Sequence, residues 1–110
     1  MVIVVDLDGV ICTEERTFER PLARPKEGAR EGIRLLRSQG HVIIIYTARS
    51  WAEYRMTVDW LRRNEIEYDA LMMGKPIYDV WVDDRAICLE RWEHLPEQIE
   101  ALRRKKEQAN

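Results

Sequence analysis

The chain has 110 residues, 35% charged and 45% apolar, with a net charge of −2 and a pI near 5.7. That length holds one domain with a single core. The balance of charge leaves no basic footprint for nucleic acid or an anionic membrane, and no apolar run is long enough to span a bilayer.

The first element is a run of four branched apolar residues, Val2–Val5, leading directly into Asp6-Leu7-Asp8-Gly9. Continuous apolar runs without alternation suggest strands covered on both faces, as in a parallel sheet. A helix is predicted over Glu27–Gln39, with Ala29, Ile33 and Leu36 on one stripe and Gly40 at the C-terminal stop. Val42–Tyr46 reads as the second strand. Ser50-Trp51-Ala52-Glu53 has the pattern of a capping box opening a helix that ends near Asn64, with Tyr54, Val58 and Leu61 on one face. Ala70–Met73 gives a third strand and Val80–Val82 a fourth. Pro96 sits in the first turn of a last helix, with Ile99 and Leu102 facing inward and a cationic end at Arg103–Lys106 that suits the helix dipole.

The β-α-β-α-β order predicts an α/β fold, a single doubly wound Rossmann-like parallel sheet forming one domain over residues 1–110. The apolar start lacks the basic flank and cleavage site of a signal peptide. Cys12 and Cys88 lack metal-ligand spacing, and two reduced thiols in a cytoplasmic protein is the reading adopted.

Polar residues follow the strands. Asp6 and Asp8 end the first and Thr47, Ala48 and Arg49 the second. Gly74, Lys75 and Pro76 follow the third, and Asp83 and Asp84 end the fourth. In a parallel sheet these groups share the carboxyl edge, where ligands bind. Clustered carboxylates repel unless a cation offsets them, and carboxylates with phosphate suit Mg²⁺. Lys75 adds positive charge, and Thr47 with backbone N–H groups can hold phosphate oxygens. The inventory fits phosphoryl transfer.

Plain readings stand beside these. Asp8-Gly9 is also a turn signal, Thr47 a loop cap, and Asp83-Asp84 a helix start paired with Arg85. Arg49 either grips a substrate phosphate or carboxylate, or pairs with Glu53. His41 and His94 lie away from the motifs.

In order, "DLDGV", "VIIIYTAR", Lys75 and "VWVDD" resemble the four motifs of the haloacid dehalogenase-like (HAD) phosphohydrolases, covering Val2 to Asp84. The resemblance implies Asp6 as nucleophile forming an aspartyl-phosphate, and Asp8 as general acid and then base. It implies Thr47, Ala48, Arg49 and Lys75 around the phosphoryl group. Mg²⁺ would be held by Asp6, Asp8, Asp83 and Asp84, with Asp84 favoured over Asp83 as the direct ligand.

The Ile11–Lys26 stretch is long enough only for a flap, carrying Glu14, Glu15, Arg16, Phe18 and Arg20. Gly74–Asp79 leaves no room for an insertion. The chain therefore resembles a capless member, most like the small phosphatases of capsule and surface-polysaccharide biosynthesis. The expected substrate is a small phosphomonoester such as a sugar phosphate, with no nucleic acid or membrane partner. An open site also implies cover from a homo-oligomer, with Phe18, Trp51 and Tyr54 as interface aromatics. The rivals are a phosphatase acting on protein or polynucleotide, and a binding or regulatory module of the same fold without turnover.

Overall fold

A computed structural model of the chain describes residues 1–109, which form two compact units, Met1–Ile77 and the stretch from Tyr78 onward. The first unit is α/β. Strands β1 (Val2–Val5), β2 (Val42–Tyr46) and β3 (Ala70–Met72) make a parallel sheet in the order β1-β2-β3. Val2 pairs with Val42 and Val5 with Ile45, while Ile44 pairs with Ala70 and Tyr46 with Met72. No cap domain is present among the described residues.

Helix α1 (Ala29–Ser38) buries Ala29, Ile33 and Leu36, the predicted stripe. A 3₁₀ turn at Trp51–Glu53 leads into α2 (Tyr54–Arg63). The Glu53 carboxylate accepts the Ser50 N–H at 3.1 Å, as a capping box requires. The buried face of α2 is Thr57, Trp60 and Leu61, not the predicted Tyr54, Val58 and Leu61. Trp60 decides that rotation: it is fully buried and its indole N–H donates to the Ala23 carbonyl at 2.8 Å. Tyr54 is left exposed against Trp51, with ring centroids 5.6 Å apart.

Within the first unit the sheet is covered on one face. Ile43, Ile45 and Val5 are buried, whereas Val2, Val4, Val42 and Met72 are exposed on the other face. Unbroken apolarity in β1 and β2 marks a face that wants cover, and it does not say where the cover comes from.

In the second unit a 3₁₀ turn at Trp92–His94 opens α3 (Leu95–Ala109). The predicted fourth strand, Val80–Val82, is absent: these residues are irregular and exposed. Three β-branched and aromatic residues do not make a strand without a neighbour to complete the ladder. Local contacts hold the stretch instead. Trp81 packs edge-on against Tyr78 with centroids 5.0 Å apart, and its indole N–H donates to Asp83 Oδ2 at 3.1 Å.

Candidate active site at the carboxyl edge of the sheet

Because the three strands are parallel, their carboxyl ends share one edge. The chain leaves β1 through Asp6, whose Oδ1 accepts the Leu7 N–H at 2.8 Å. A tight turn follows. The Leu7 carbonyl accepts from Ile11 at 2.9 Å and the Gly9 N–H donates to the Cys12 carbonyl at 2.8 Å. Gly9 has φ 85°, a left-handed conformation that glycine adopts at little cost. Leu7 and Ile11 are fully buried, so this turn is anchored and not a free loop.

After β2, Thr47 is fully buried, and its hydroxyl accepts the Arg49 N–H at 3.1 Å. After β3, Gly74 (φ 76°) donates to the Arg49 carbonyl at 3.0 Å, and Lys75 N–H donates to the Thr47 carbonyl at 2.9 Å. These bonds set the Lys75 ammonium 3.8 Å from Asp6 Oδ2. Asp6, Thr47 and Lys75 are thus held on one edge by main-chain bonds between the strand ends.

Burial is the largest influence on Asp6 and raises its pKa above the ordinary value; Lys75 and the Leu7 N–H pull the other way, and the Asp8 and Glu14 charges add to the rise. An acid strained in its charged form, beside one ammonium, is poised to bind a cation or react.

Arg49 is where the sequence reading and the structure part most. It does not bond to Glu53, whose side chain pairs with Arg20. Arg49 is 1% exposed and clamps Asp8 with a two-toothed fork: Nη2 to Oδ1 at 2.7 Å and Nε to Oδ2 at 3.0 Å. Its Nη1 donates to Thr57 Oγ1 at 3.0 Å. Thr57 was not singled out from the sequence. The signal available was a hydroxyl on the apolar stripe of α2, which needs a buried partner. Cys12 lies against the same pair, its Sγ 3.7 Å from Asp8 Oδ1, and its thiol is pushed up to about 12, by burial first and then by the Asp8 charge.

The oxygen donors of Asp6 and Asp8 suit a hard cation. Among the described residues, however, no three Asp, Glu, His or Cys side chains gather where they could hold a metal ion. Asp83 and Asp84 belong to the second unit, where Asp83 Oδ1 accepts the Asp84 N–H at 2.7 Å. The donor chemistry of the first unit fits Mg²⁺, with the set incomplete there. Ala48 is exposed beside Thr47, and its main chain lies at the edge.

An open cavity of about 480 Å³ lies at the other end of β2, lined by Arg34, Arg37, His41, Val42, Glu67 and Asp69. Its arginines pair with Glu67 and Asp69. It sits at the amino end of β2, opposite the edge that carries Asp6, Thr47 and Lys75. No described helix is long and apolar enough to cross a membrane.

No protein-family model and no curated protein matches the chain. Among solved structures, the crystal structure of an MCSG target from Vibrio cholerae is similar over 96% of this chain and 98% of its own, with 25% identity and a TM-score of 0.75. Two structures of the Pnkp1/Rnl/Hen1 complex, one described as an RNA repair complex, are similar over 66% of this chain, at 22% identity and TM-scores of 0.58 and 0.59. The chain spans about a quarter of each of those two, 26% and 24%. These likenesses bear on the fold: a parallel-sheet α/β domain that also occurs as part of larger proteins.

Proposed function

We propose that the chain is a Mg²⁺-dependent phosphomonoesterase of the HAD type, acting through an aspartyl-phosphate. The observation that carries this reading is the Asp6–Lys75 pair, an ion pair at 3.8 Å on the sheet's carboxyl edge with Thr47 fixed beside it.

In the proposed reaction an oxygen of Asp6 attacks phosphorus while the ester P–O bond breaks. Asp8 gives its proton to the leaving oxygen. A water then attacks the aspartyl-phosphate, passes a proton to Asp8, and the P–O bond to Asp6 breaks, which frees phosphate and restores both residues. Lys75 balances charge on Asp6 and on the phosphoryl oxygens. The Thr47 hydroxyl and the N–H groups around Ala48 bind those oxygens. Arg49 holds Asp8 in place, and releasing one tooth of its fork leaves a carboxyl oxygen able to take a proton. Asp6, Asp8, Asp83 and Asp84 would hold Mg²⁺, which when bound neutralises the charge that collects on the phosphoryl group.

The substrate favoured is a small phosphate ester, since the chain's net charge of −2 offers no basic track for a polynucleotide. A panel of sugar phosphates, phosphopeptides and phosphate-ended oligonucleotides, assayed with Mg²⁺ and with EDTA, tests both activity and class. Phosphate release that needs Mg²⁺ and disappears in Asp6→Asn is expected. Full activity in EDTA, or in Asp6→Asn, would refute the mechanism.

A further inference from the structure

Two surfaces of this chain are built for burial and remain open. One is the outer face and free edge of β1, where Val2 is 64% and Val4 57% exposed, continued by Val42 and Met72. The other is the stretch before Asp83, where Val80 is 77% and Val82 92% exposed, with Ile77 beside them. An exposed apolar sheet face and an unpaired edge strand together mark an interaction surface.

We propose that a second copy of this chain supplies the cover: its Val80–Val82 segment adds to β1 as a fourth parallel strand, and its Asp83 and Asp84 complete the site beside Asp6. The proposal rests on the phosphatase reading for the role of those carboxylates, and on the open surfaces alone for the pairing.

The pattern fits. With Val82 opposite Val5 and Val80 opposite Ile3, both valines join the face that already holds Ile43 and Ile45, and Trp81 joins Val2 and Val4 on the open face. Asp83 then stands across from Asp6, about 5 Å away at the spacing of neighbouring strands.

The connection explains why the strand comes from another copy. Only seven residues, Met73–Asp79, separate β3 from Val80. Parallel strands of one sheet need a crossover of about a dozen residues or more to return to the starting edge. Exchange between two copies removes that need, and a short hinge favours it.

Two experiments decide it. In a Cys88→Ala background, copies carrying Val4→Cys are refolded with tagged copies carrying Trp81→Cys and oxidised. A disulfide-linked heterodimer on a non-reducing gel is expected, whatever the enzyme activity. Its absence, or a parent chain that sediments as a monomer at micromolar concentration, overturns the proposal. Separately, inactive Asp6→Asn and Asp84→Asn chains are refolded as an equal mixture. Half of the dimers are mixed, and each has one intact site, so about a quarter of the parental activity returns. Cross-linking without any phosphatase activity in the parent would leave the exchanged dimer standing and refute the phosphatase reading.

Discussion

Arg49→Met isolates the buried clamp on Asp8. The substitution keeps the length of the side chain and removes the guanidinium. Asp8 then loses both of its ionic hydrogen bonds, and the Thr57 hydroxyl loses the Nη1 donor. Breaking one partner of a buried pair costs about 3–5 kcal/mol. The lower end applies because the Asp8 side chain keeps 16% of its exposure and water can approach it. A loss of about 3 kcal/mol lowers the Tm of a domain this size by roughly 10–20 °C. Adding Asp8→Asn removes the stranded charge, and the double variant should recover at least half of the loss. Arg49→Lys keeps the charge without the fork and should fall between the parent and Arg49→Met. Thermal and urea melts of these proteins, with the Asp8→Asn single variant added to close the cycle, give the coupling energy directly. An Arg49→Met melt within 2 °C of the parent, or a double variant less stable than Arg49→Met, would refute the idea that Arg49 serves chiefly to neutralise Asp8.

Three further outcomes follow from the same geometry. Burial raises the Asp6 pKa, so the stability this group contributes is full below its unfolded value near 3.8 and is lost as pH rises through the folded value. Asp6→Asn should therefore melt above the parent at pH 7 in EDTA, with the difference vanishing toward pH 3.8; a gain that grows on acidification would contradict the assignment. Cys12 is buried with its thiol near 12 and Cys88 is exposed, so iodoacetamide at pH 8 should label one thiol in the native chain and two after unfolding. Gly74→Ala meets nothing within 4 Å but must hold φ 76°, which costs about 1–2 kcal/mol of backbone strain; a melt unchanged from the parent would show that the turn before Lys75 relaxes freely.

The parts of this molecule that the sequence made legible are those governed by local pattern. Val42–Tyr46, the Ala29–Ile33–Leu36 stripe and the Ser50–Glu53 cap depend on neighbours within a turn or a strand, and each formed as read. Three of the four expected strand ends also share the edge, because Asp6, Thr47 and Lys75 follow strands whose direction was predictable, whereas Asp83 and Asp84 follow no strand. The Arg49 partner was not legible, since Asp8 lies 41 residues away and nothing in local spacing distinguishes it from Glu53, four residues on. Thr57 was hidden for the same reason. Val80–Val82 shows the opposite limit: it has a strand's composition, but a strand is a property of two segments and the second was not in the pattern.

The stretch from Ile11 to Lys26, read from sequence as a flap, is fastened at both ends and at Arg20. Thr13 donates to the Arg24 carbonyl at 2.8 Å, Lys26 to the Ile11 carbonyl at 2.8 Å, Trp60 holds Ala23, and Arg20 is tied to Glu53. Such a segment is a wall. On the phosphatase reading proposed above, an enzyme with a wall in place of a hinge has no closing stroke to complete before chemistry. Its turnover should be indifferent to solvent viscosity when sucrose or glycerol is added, where an enzyme paced by loop closure slows in proportion. Selectivity then has to come from fixed shape, and changes in Phe18 or Trp51, exposed on and near that wall, would alter which esters are accepted without altering how fast a good one reacts.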